Sequence, residues 1–306
     1  MIHPNPNMLV YIGIADAYAA ACEYSDDPAI KQKLLNGECY AMHPRHKHPP
    51  GNYTDDTEMS VANARVLIDY EFPFRPIQFA DAYVNEFNRG GKRDGYARRF
   101  QDFLEHVSDG KDFLARIKPD SAKNGAAMRA VPIGVLPSVD MVLEAATIQA
   151  AITHNTPEGL FSARLVALMS HYSLYDSNSL SCVAAYCADH LPKEDMDLYA
   201  HLLNSDWPST KPVTKTRQYS VGITTAHACV TLIKKEKSLW QMMQALIHMG
   251  GDTDSVAAIV WGVASARYQD EKIPLFLYAD LEGGKTKTGT KYLKGLGTAL
   301  MKKYSK

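Results

Sequence analysis

Apolar residues recur three and four positions apart along most of this chain, which is the pattern of helices that bury one face. The pattern covers residues 9–24, 59–70, 77–88, 139–153, 160–171, 182–190, 224–234, 239–248 and 255–268. Alternating apolar and polar runs, which indicate strands, are scarce. With 306 residues, of which 46% are apolar, the chain can bury a sizeable core. We therefore predict an all-α fold, a single compact multi-helix domain over residues 1–306.

Charge and cysteine content exclude several classes of protein. The formal net charge is −1, so no overall positive field attracts nucleic acid or anionic lipid. The five cysteines form no C-x-x-C pair, which argues against a disulfide framework and a thiolate zinc site. The first apolar run stops at Glu23 without a basic segment before it. We expect no nucleic-acid partner, no membrane partner and a cytoplasmic location.

Two segments lack helical periodicity. Residues 38–52 contain three prolines and predict a surface loop, with His43, His46 and His48 exposed because their spacing suits neither a helix face nor a zinc site. From about residue 285 the chain is rich in lysine and predicts a solvated, partly mobile tail.

Four tyrosines in the first forty residues are open to two interpretations, a platform for a flat ligand or ordinary packing. Packing with a satisfied hydroxyl is the interpretation we favour. The residues concerned are Tyr11, Tyr18, Tyr24 and Tyr40.

An acidic turn directly precedes the helical pattern that starts near residue 59. Thr54, Asp55 and Asp56 stand where side-chain oxygens cap a helix and suit the positive end of its dipole. The same residues supply the hard oxygen ligands that Mg²⁺ prefers. This turn alone does not separate capping from metal binding.

A second acidic turn opens the apolar helix near residue 255. Gly250 and Gly251 permit a tight turn, and Asp252, Asp254 and Ser255 follow with three oxygen-bearing side chains. Carboxylates beside an apolar helix are costly to bury without a cation, because like charges at close range resist joint ionisation. The parallel construction of the two turns favours metal binding.

A third turn, residues 121–129, has the sequence SAKNGAAMR before a probable helix. Small residues there can present backbone N–H groups to a phosphate. An ordinary Asn-Gly turn explains the same letters, and the segment by itself does not decide between them.

Five segments follow one another along the chain: IGIADAYAAACEY, YTDDTEMS, KNGAAMRAVPIGVL, THNTPEG and MGGDTDSVAAIVWGVASARY. In this order and spacing they resemble the ADP-ribosylglycohydrolase family, which includes ADP-ribosylarginine hydrolases and dinitrogenase reductase-activating glycohydrolases. The resemblance covers almost the whole chain and implies a helical domain with a binuclear metal site between helices. It departs at residues 15–19, where alanine replaces both glycines of the family's G-D-A-x-G pattern.

The resemblance also implies roles for individual residues. Two Mg²⁺ ions, or alternatively Mn²⁺, would be held by Thr54, Asp55, Asp56, Asp252, Asp254 and Ser255. Glu23 matches the family's glutamate that contacts water near the metals or gates the site. ADP-ribose would be contacted by Ser121, Asn124, Gly125, Ala126, Met128, His154 and Gly222.

The implied reaction is hydrolysis of the glycosidic bond at C1″ of ADP-ribose. The candidate catalytic residues are Glu23, Asp55, Asp56 and Asp252. The substrate would be an ADP-ribosylated protein or a small molecule containing ADP-ribose, and arginine is the first acceptor to expect. Two alternatives remain: a non-catalytic ADP-ribose-binding or crystallin-like member of the fold, suggested by the altered residues 15–19, and a metal-independent glycosidase acting through two carboxylates.

Overall fold

The helical periodicity is realised as sixteen α-helices in residues 3–46 and 48–305, the part of the chain that this computed structural model describes. Numbered along the chain, they are α1 (Met8–Ala19), α2 (Pro28–Leu35), α3 (Asp55–Asp69), α4 (Pro76–Arg89), α5 (Arg98–Glu105), α6 (Gly110–Arg116), α7 (Gly125–Met128), α8 (Val139–Ala151), α9 (Pro157–Tyr175), α10 (Val183–His190), α11 (Lys193–Leu203), α12 (Val221–Lys235), α13 (Leu239–Met249), α14 (Thr253–Ala264), α15 (Phe276–Ala279) and α16 (Thr290–Tyr304). Pairing of strand type is limited, within these residues, to two isolated bridges. The predicted all-α class is confirmed.

Two helices that are buried on every side form the centre of the molecule. All twelve residues of α1 are buried, and so are all twelve of α14. A helix that is apolar around its whole circumference has to lie inside the protein. Close approach of the pair depends on Gly262, because a Cβ there would lie 2.6 Å from Cγ1 of Ile12. The centre of the fold is thus a tightly packed pair of helices.

The remaining long helices surround this pair. Helices α3 and α16 pack on α1, whereas α9, α12 and α13 pack on α14. Since α3 and α14 each begin with an acidic turn and both contact α1, the two turns are brought to the same end of the central helices.

Several helix boundaries differ from the sequence prediction. The predicted helix over residues 9–24 ends at Ala19, and a 3₁₀ turn, Ala20–Cys22, then leaves Glu23 outside the helix. The predicted helix over residues 255–268 ends at Ala264. Helices α2, α5, α6 and α11 were not predicted, because they are short and bury few apolar side chains; Leu34 is the buried residue of α2.

The carboxyl-terminal segment is a packed helix, so the prediction of a solvated tail is wrong for residues 290–304. Leu293, Leu300 and Met301 of α16 are buried against the core. The apolar residues share one face of the helix, and Lys291, Lys294 and Lys302 are exposed. The high lysine content therefore describes the outer face of a helix rather than a free arm.

Two further expectations concern the whole chain. Among the described residues, no helix is both long and apolar enough to cross a membrane. The five cysteines are free thiols, three of them buried.

Candidate metal centre

Five carboxylates from α1, α3, the start of α14 and the turn after α1 converge on one space. Oxygens of Asp16, Asp56 and Asp254 all lie within 4.8 Å of one another. Oxygens of Glu23, Asp252 and Asp254 form a second group with the same spacing. The two groups share Asp254, so the structure joins the two predicted acidic turns into one cluster.

The first acidic turn is held in place by a carboxylate from the central helix. Thr54 has extended backbone angles and caps α3, with its hydroxyl 3.4 Å from the Asp56 backbone nitrogen. Asp16 accepts hydrogen bonds from the backbone N–H of Thr54 at 3.0 Å and from its hydroxyl at 2.9 Å. It also accepts from the N–H and hydroxyl of Thr57. Asp16 thereby fixes where the helix begins.

The second acidic turn is held by the backbone of Val213 and by Tyr24. Gly251 has φ +88°, and a Cβ there would lie 2.4 Å from the carbonyl oxygen of Val213, so only glycine fits. The same carbonyl accepts from the backbone N–H of Asp252 at 2.9 Å. The phenol of Tyr24 donates to Oδ2 of Asp252 at 2.9 Å, and its backbone N–H donates to Gly251.

Burial and mutual repulsion make this cluster unfavourable as a set of free carboxylates. Burial raises the pKa of Asp16 to about 6, although hydrogen bonds from Thr54 and Thr57 work against the rise. Burial, followed by the charges of nearby carboxylates, also raises the pKa values of Asp55, Asp56, Asp252 and Asp254. A bound cation would remove both penalties.

The donor set fits divalent metal ions with a preference for oxygen. Oδ1 of Asp56 is buried and has no hydrogen-bond partner among the described residues, although such an atom normally has one. Ser255 is buried beside Asp254, whose Oδ1 accepts from the Ser255 backbone N–H at 3.0 Å. Asp55 is partly exposed at the start of α3 and lies outside both groups of three in the described part of the chain.

Glu23 lies at the edge of the cluster and is held by the loop of residues 38–52. Nε2 of His43 lies 3.0 Å from Oε2 of Glu23, and the Arg45 guanidinium lies 2.5 Å from the same oxygen. Burial tends to raise the pKa of Glu23, but the bonds from His43 and Arg45 outweigh it and lower the pKa below its ordinary value. Glu23 is therefore ionised at neutral pH.

The prediction that the loop histidines are exposed is wrong for two of the three. His43 and His48 are each 6% exposed, whereas His46 is partly exposed and lies 3.1 Å from Asp94. The loop reaches the edge of the acidic cluster, where His43 contacts Glu23. Spacing along the chain gave no sign of this contact.

His43, His46 and Glu23 also offer ligand atoms within 4.8 Å of one another, as a transition-metal site would. The Nδ1 atom of His43, however, accepts from the backbone N–H groups of Arg45 and His46 at 3.0 and 3.1 Å. A neutral ring that accepts at Nδ1 carries its proton on Nε2, so both nitrogens are in use. These contacts give His43 the role of a loop support rather than that of a metal ligand.

The predicted phosphate-binding turn, residues 121–129 (the phosphate turn), packs beside α3. The carbonyl of Met128 accepts from the Ser60 hydroxyl of α3 at 3.2 Å, and the Asn124 amide donates to Thr225 of α12 at 3.3 Å. The backbone N–H groups of Gly125 and Ala126, at the start of α7, have no hydrogen-bond partner among the described residues. The turn is anchored on both sides and keeps two donors free.

The structure brings the other predicted ADP-ribose residues to this same turn. The imidazole of His154 lies under Gly125, so that a Cβ on Gly125 would lie 3.1 Å from Nε2. Burial, and then the charge of Arg129, lower the pKa of His154 to about 3, so the ring is neutral. Gly222 packs against the turn so closely that a Cβ would lie 2.8 Å from the carbonyl oxygen of Lys123.

Ser121 is held at the start of the turn by two hydrogen bonds. Its carbonyl accepts from the Thr156 hydroxyl at 3.1 Å, and its own hydroxyl accepts from the Lys123 backbone N–H at 3.2 Å. Ala126 is fully buried and supports the turn from inside the protein.

Comparison with known proteins gives this geometry a family. Residues 9–305 match the ADP-ribosylglycohydrolase family. The chain belongs to the ADP-ribosylglycohydrolase family. It is thereby a hydrolase of the family that cleaves glycosidic bonds of ADP-ribose.

Relatives of this glycohydrolase are distant in sequence. It is 26% identical over 276 residues to ADP-ribosylhydrolase ARH3 of Xenopus tropicalis, across 76% of the chain and 78% of the relative. It is 23% identical over 279 residues to the ADP-ribosylarginine hydrolase Tri1 of Serratia proteamaculans (strain 568), across 87% of the chain and 72% of the relative. A solved structure described as an ADP-ribosylglycohydrolase-related protein complex shares the fold, with a TM-score of 0.71, 20% identity and coverage of 97% and 96% of the two chains.

A buried ion-pair network supports the first acidic turn of the glycohydrolase. The Arg93 guanidinium donates to Glu58 at 2.6 Å, to Glu282 at 2.8 Å and to the carbonyl of Tyr53 at 2.5 Å. Its guanidinium carbon stacks 4.2 Å from the Tyr53 ring centroid. Burial is the main reason that the pKa of Glu58 rises to about 7. Arg93 thus fixes the residue that precedes Thr54.

Sequence reasoning missed three residues that shape this glycohydrolase site. Asp16 had a detectable signal, since a lone charged residue within an apolar helix is rarely buried without a partner. Tyr24 was interpreted as a packing residue, but it is 45% exposed and bonds Asp252, so that prediction is wrong; Tyr11, Tyr18 and Tyr40 are buried as predicted. Arg45 had no signal, because its partner is distant along the chain.

Proposed function

We propose that the chain hydrolyses the bond between C1″ of ADP-ribose and an acceptor group, using two Mg²⁺ ions held by the carboxylate cluster. The observation that carries this proposal is the pair of three-carboxylate groups sharing Asp254. Asp16 and Asp56, with Thr54 bonded to Asp16, belong to one group, and Asp252 and Glu23 belong to the other. Asp55 and Ser255 complete the proposed ligand set from the two helix starts.

When bound, such ions orient sugar hydroxyls and lower the pKa of a coordinated water, which makes a nucleophile available at neutral pH. The chain itself supplies a base. Oε1 of Glu23 has no partner among the described residues, because His43 and Arg45 both bond Oε2. An ionised carboxylate with one free oxygen at the edge of the site can accept the proton of the attacking water. Glu23 is preferred over Asp252 because it lies partly exposed at the edge of the cluster, whereas Asp252 is buried.

The turn of residues 121–128 is the proposed binding site for the diphosphate of ADP-ribose. It offers the unpaired N–H of the partly exposed Gly125 and lies next to the neutral ring of His154. Gly222 packs directly against the turn, and any side chain at this position would collide with it. The ribose would then extend from the turn towards α3 and the carboxylates.

For the acceptor we propose arginine on a protein. The support is the motif set, which resembles the arginine-directed branch, together with a relative named an ADP-ribosylarginine hydrolase that aligns with 87% of the chain. The name of the other relative specifies no acceptor. The acceptor is therefore the part of the proposal that needs a direct comparison of substrates.

The experiment mixes the purified protein with ADP-ribosyl-arginine protein and, separately, with ADP-ribosyl-serine peptide, in Mg²⁺ or in chelator. Released ADP-ribose is measured by mass spectrometry. We expect release from the arginine substrate in Mg²⁺ only, loss of release in Asp55→Ala and Asp254→Ala, and normal release in Asp197→Asn, which changes an exposed aspartate of α11. ADP-ribose binding without release from either substrate would instead support a non-catalytic member of the fold.

A further inference from the structure

Arg45 occupies a small site at the edge of the carboxylate cluster that has the composition of a guanidinium-binding site. Its guanidinium lies 2.5 Å from Oε2 of Glu23 and its central carbon 4.9 Å from the ring centroid of Tyr24. A carboxylate together with an aromatic face is the combination that holds a planar guanidinium, by charge-assisted hydrogen bonding and by stacking. The Arg45 side chain itself is 50% exposed, so the contact is open to exchange.

The elements that build this small site are firmly held. Tyr24 has φ +47°, an uncommon conformation for a side chain with a Cβ, and it is fixed by its bonds to Gly251 and Asp252. Glu23 has a second partner besides Arg45, since Nε2 of His43 lies 3.0 Å from its Oε2. The site therefore does not need Arg45 in order to exist.

Arg45 itself is held through the backbone of its loop. Its N–H and that of His46 both donate to Nδ1 of His43, which fixes the turn while leaving the Arg45 side chain to reach Glu23 across the surface. Its side chain can leave while the turn remains.

This small site and the phosphate turn are held by different parts of the protein. The phosphate turn bonds to Ser60 and Thr225, whereas Tyr24 bonds to Asp252. If ADP-ribose is held by its diphosphate at the turn and by its ribose at the carboxylates, the bond to be cut points towards Glu23 and Tyr24. The group attached to C1″ would then meet the position that Arg45 occupies.

We propose that Glu23 and Tyr24 form the binding site for the guanidinium of an arginine acceptor, and that Arg45 fills this site as an internal substitute which the substrate displaces. The inference rests on the proposed function, which it deepens by naming the acceptor contacts. Arg45 then acts as a competitor that sets how tightly an arginine-linked substrate binds, and a substrate without a guanidinium gains nothing from its removal.

The test compares the wild type with Arg45→Ala and with the matched control Arg99→Ala, which removes an exposed arginine of α5. Because a partly exposed ion pair contributes up to about 1 kcal/mol, we expect Arg45→Ala to lower KM for the ADP-ribosyl-arginine substrate by about fivefold. KM for the ADP-ribosyl-serine substrate stays the same, and Arg99→Ala behaves as the wild type. A KM that rises, or that falls equally for both substrates, overturns the proposal.

A binding measurement keeps this inference separate from the proposed reaction. Methylguanidinium is titrated into the Mg²⁺-loaded protein and followed by NMR chemical shifts, with methylammonium as a probe of equal charge that lacks the planar fork. We expect Arg45→Ala to bind methylguanidinium about fivefold more tightly than the wild type, and the double variant Arg45→Ala with Tyr24→Leu to lose that gain. Equal affinity of wild type and Arg45→Ala overturns the proposal even if ADP-ribose is released, whereas tighter binding supports it even if no substrate turns over.

Discussion

The carboxylate of Asp16, in the middle of the central helix, accepts hydrogen bonds from both the backbone N–H and the hydroxyl of Thr54, at 3.0 and 2.9 Å. The Thr54 hydroxyl also lies 3.2 Å from Oδ2 of Asp56, so its bond to Asp16 fixes its orientation beside the carboxylates of the first acidic turn. Asp16 thus acts as a positioning residue for a proposed metal ligand, in addition to its place within one of the two carboxylate groups.

Asp16→Asn tests that relationship. The asparagine amide can accept at Oδ1, but its NH2 group is a donor and would face the hydroxyl of Thr57, which also donates. One buried group therefore loses its partner, which lowers the free energy of unfolding by about 1–3 kcal/mol. Loss of a group that orients a ligand also predicts a roughly tenfold weaker Mg²⁺ affinity. Urea unfolding and calorimetric Mg²⁺ titration measure the two effects, with Asp197→Asn as the control. Unchanged Mg²⁺ affinity in a folded Asp16→Asn protein would contradict the positioning role.

Removing the shared carboxylate should have opposite effects with and without metal. In chelator, burial and like charges raise the pKa of Asp254, so Asp254→Asn removes an unfavourable buried charge and should increase the free energy of unfolding. In the wild type, Mg²⁺ at about 100 times its Kd stabilises the fold by about 2.7 kcal/mol.

The measurement for Asp254→Asn is Tm by calorimetry in chelator and in Mg²⁺. We expect the variant to have a higher Tm than the wild type in chelator and no upward shift in Mg²⁺. A variant that is less stable in chelator and still gains stability from Mg²⁺ would show that the cluster does not hold the ions.

Arg93 is predicted to be required for stability rather than for chemistry. Arg93→Met leaves Glu58 and Glu282 buried without a compensating charge, which costs about 3–5 kcal/mol. Urea unfolding checks the loss, and adding Glu58→Gln to the variant should recover part of it. If Arg93→Met unfolds at the urea concentration of the wild type, the network does not carry the stability assigned to it.

His154 predicts how stability depends on pH. Its pKa is lowered to about 3 in the folded protein, mainly by burial, whereas the unfolded chain has an ordinary histidine near 6.5. The unfolded state therefore binds the proton first, and this contribution is complete above pH 6.5 and is lost as pH falls towards 3. At pH 5 the loss is about 2 kcal/mol.

The comparison for His154 is between the wild type and His154→Gln in chelator, by urea unfolding at pH 7.5 and pH 5. The variant has no imidazole to protonate, so the wild type should lose about 2 kcal/mol more than the variant between the two pH values. Parallel losses would mean that the ring titrates normally in the folded protein.

Local patterns in the sequence were sufficient for the class of fold and for the two acidic turns. Helical periodicity and helix starts depend on neighbours along the chain, which is why the sequence alone was enough to single out Thr54, Asp56, Asp252 and Asp254. The resemblance to a family then supplied the substrate turn, and the structure places His154 and Gly222 beside it.

Only the tertiary structure decided which distant groups meet. Packing of α3 and α14 on α1 joins the two acidic turns and places Asp16 between them. The return of the loop of residues 38–52 buries His43 and pairs Arg45 with Glu23. Such contacts depend on the relative placement of segments that are far apart in the chain, and loop composition records only that the segment is not helical. For the same reason, a lysine-rich stretch was recognised as a packed helix only once its apolar face had a core to lie against.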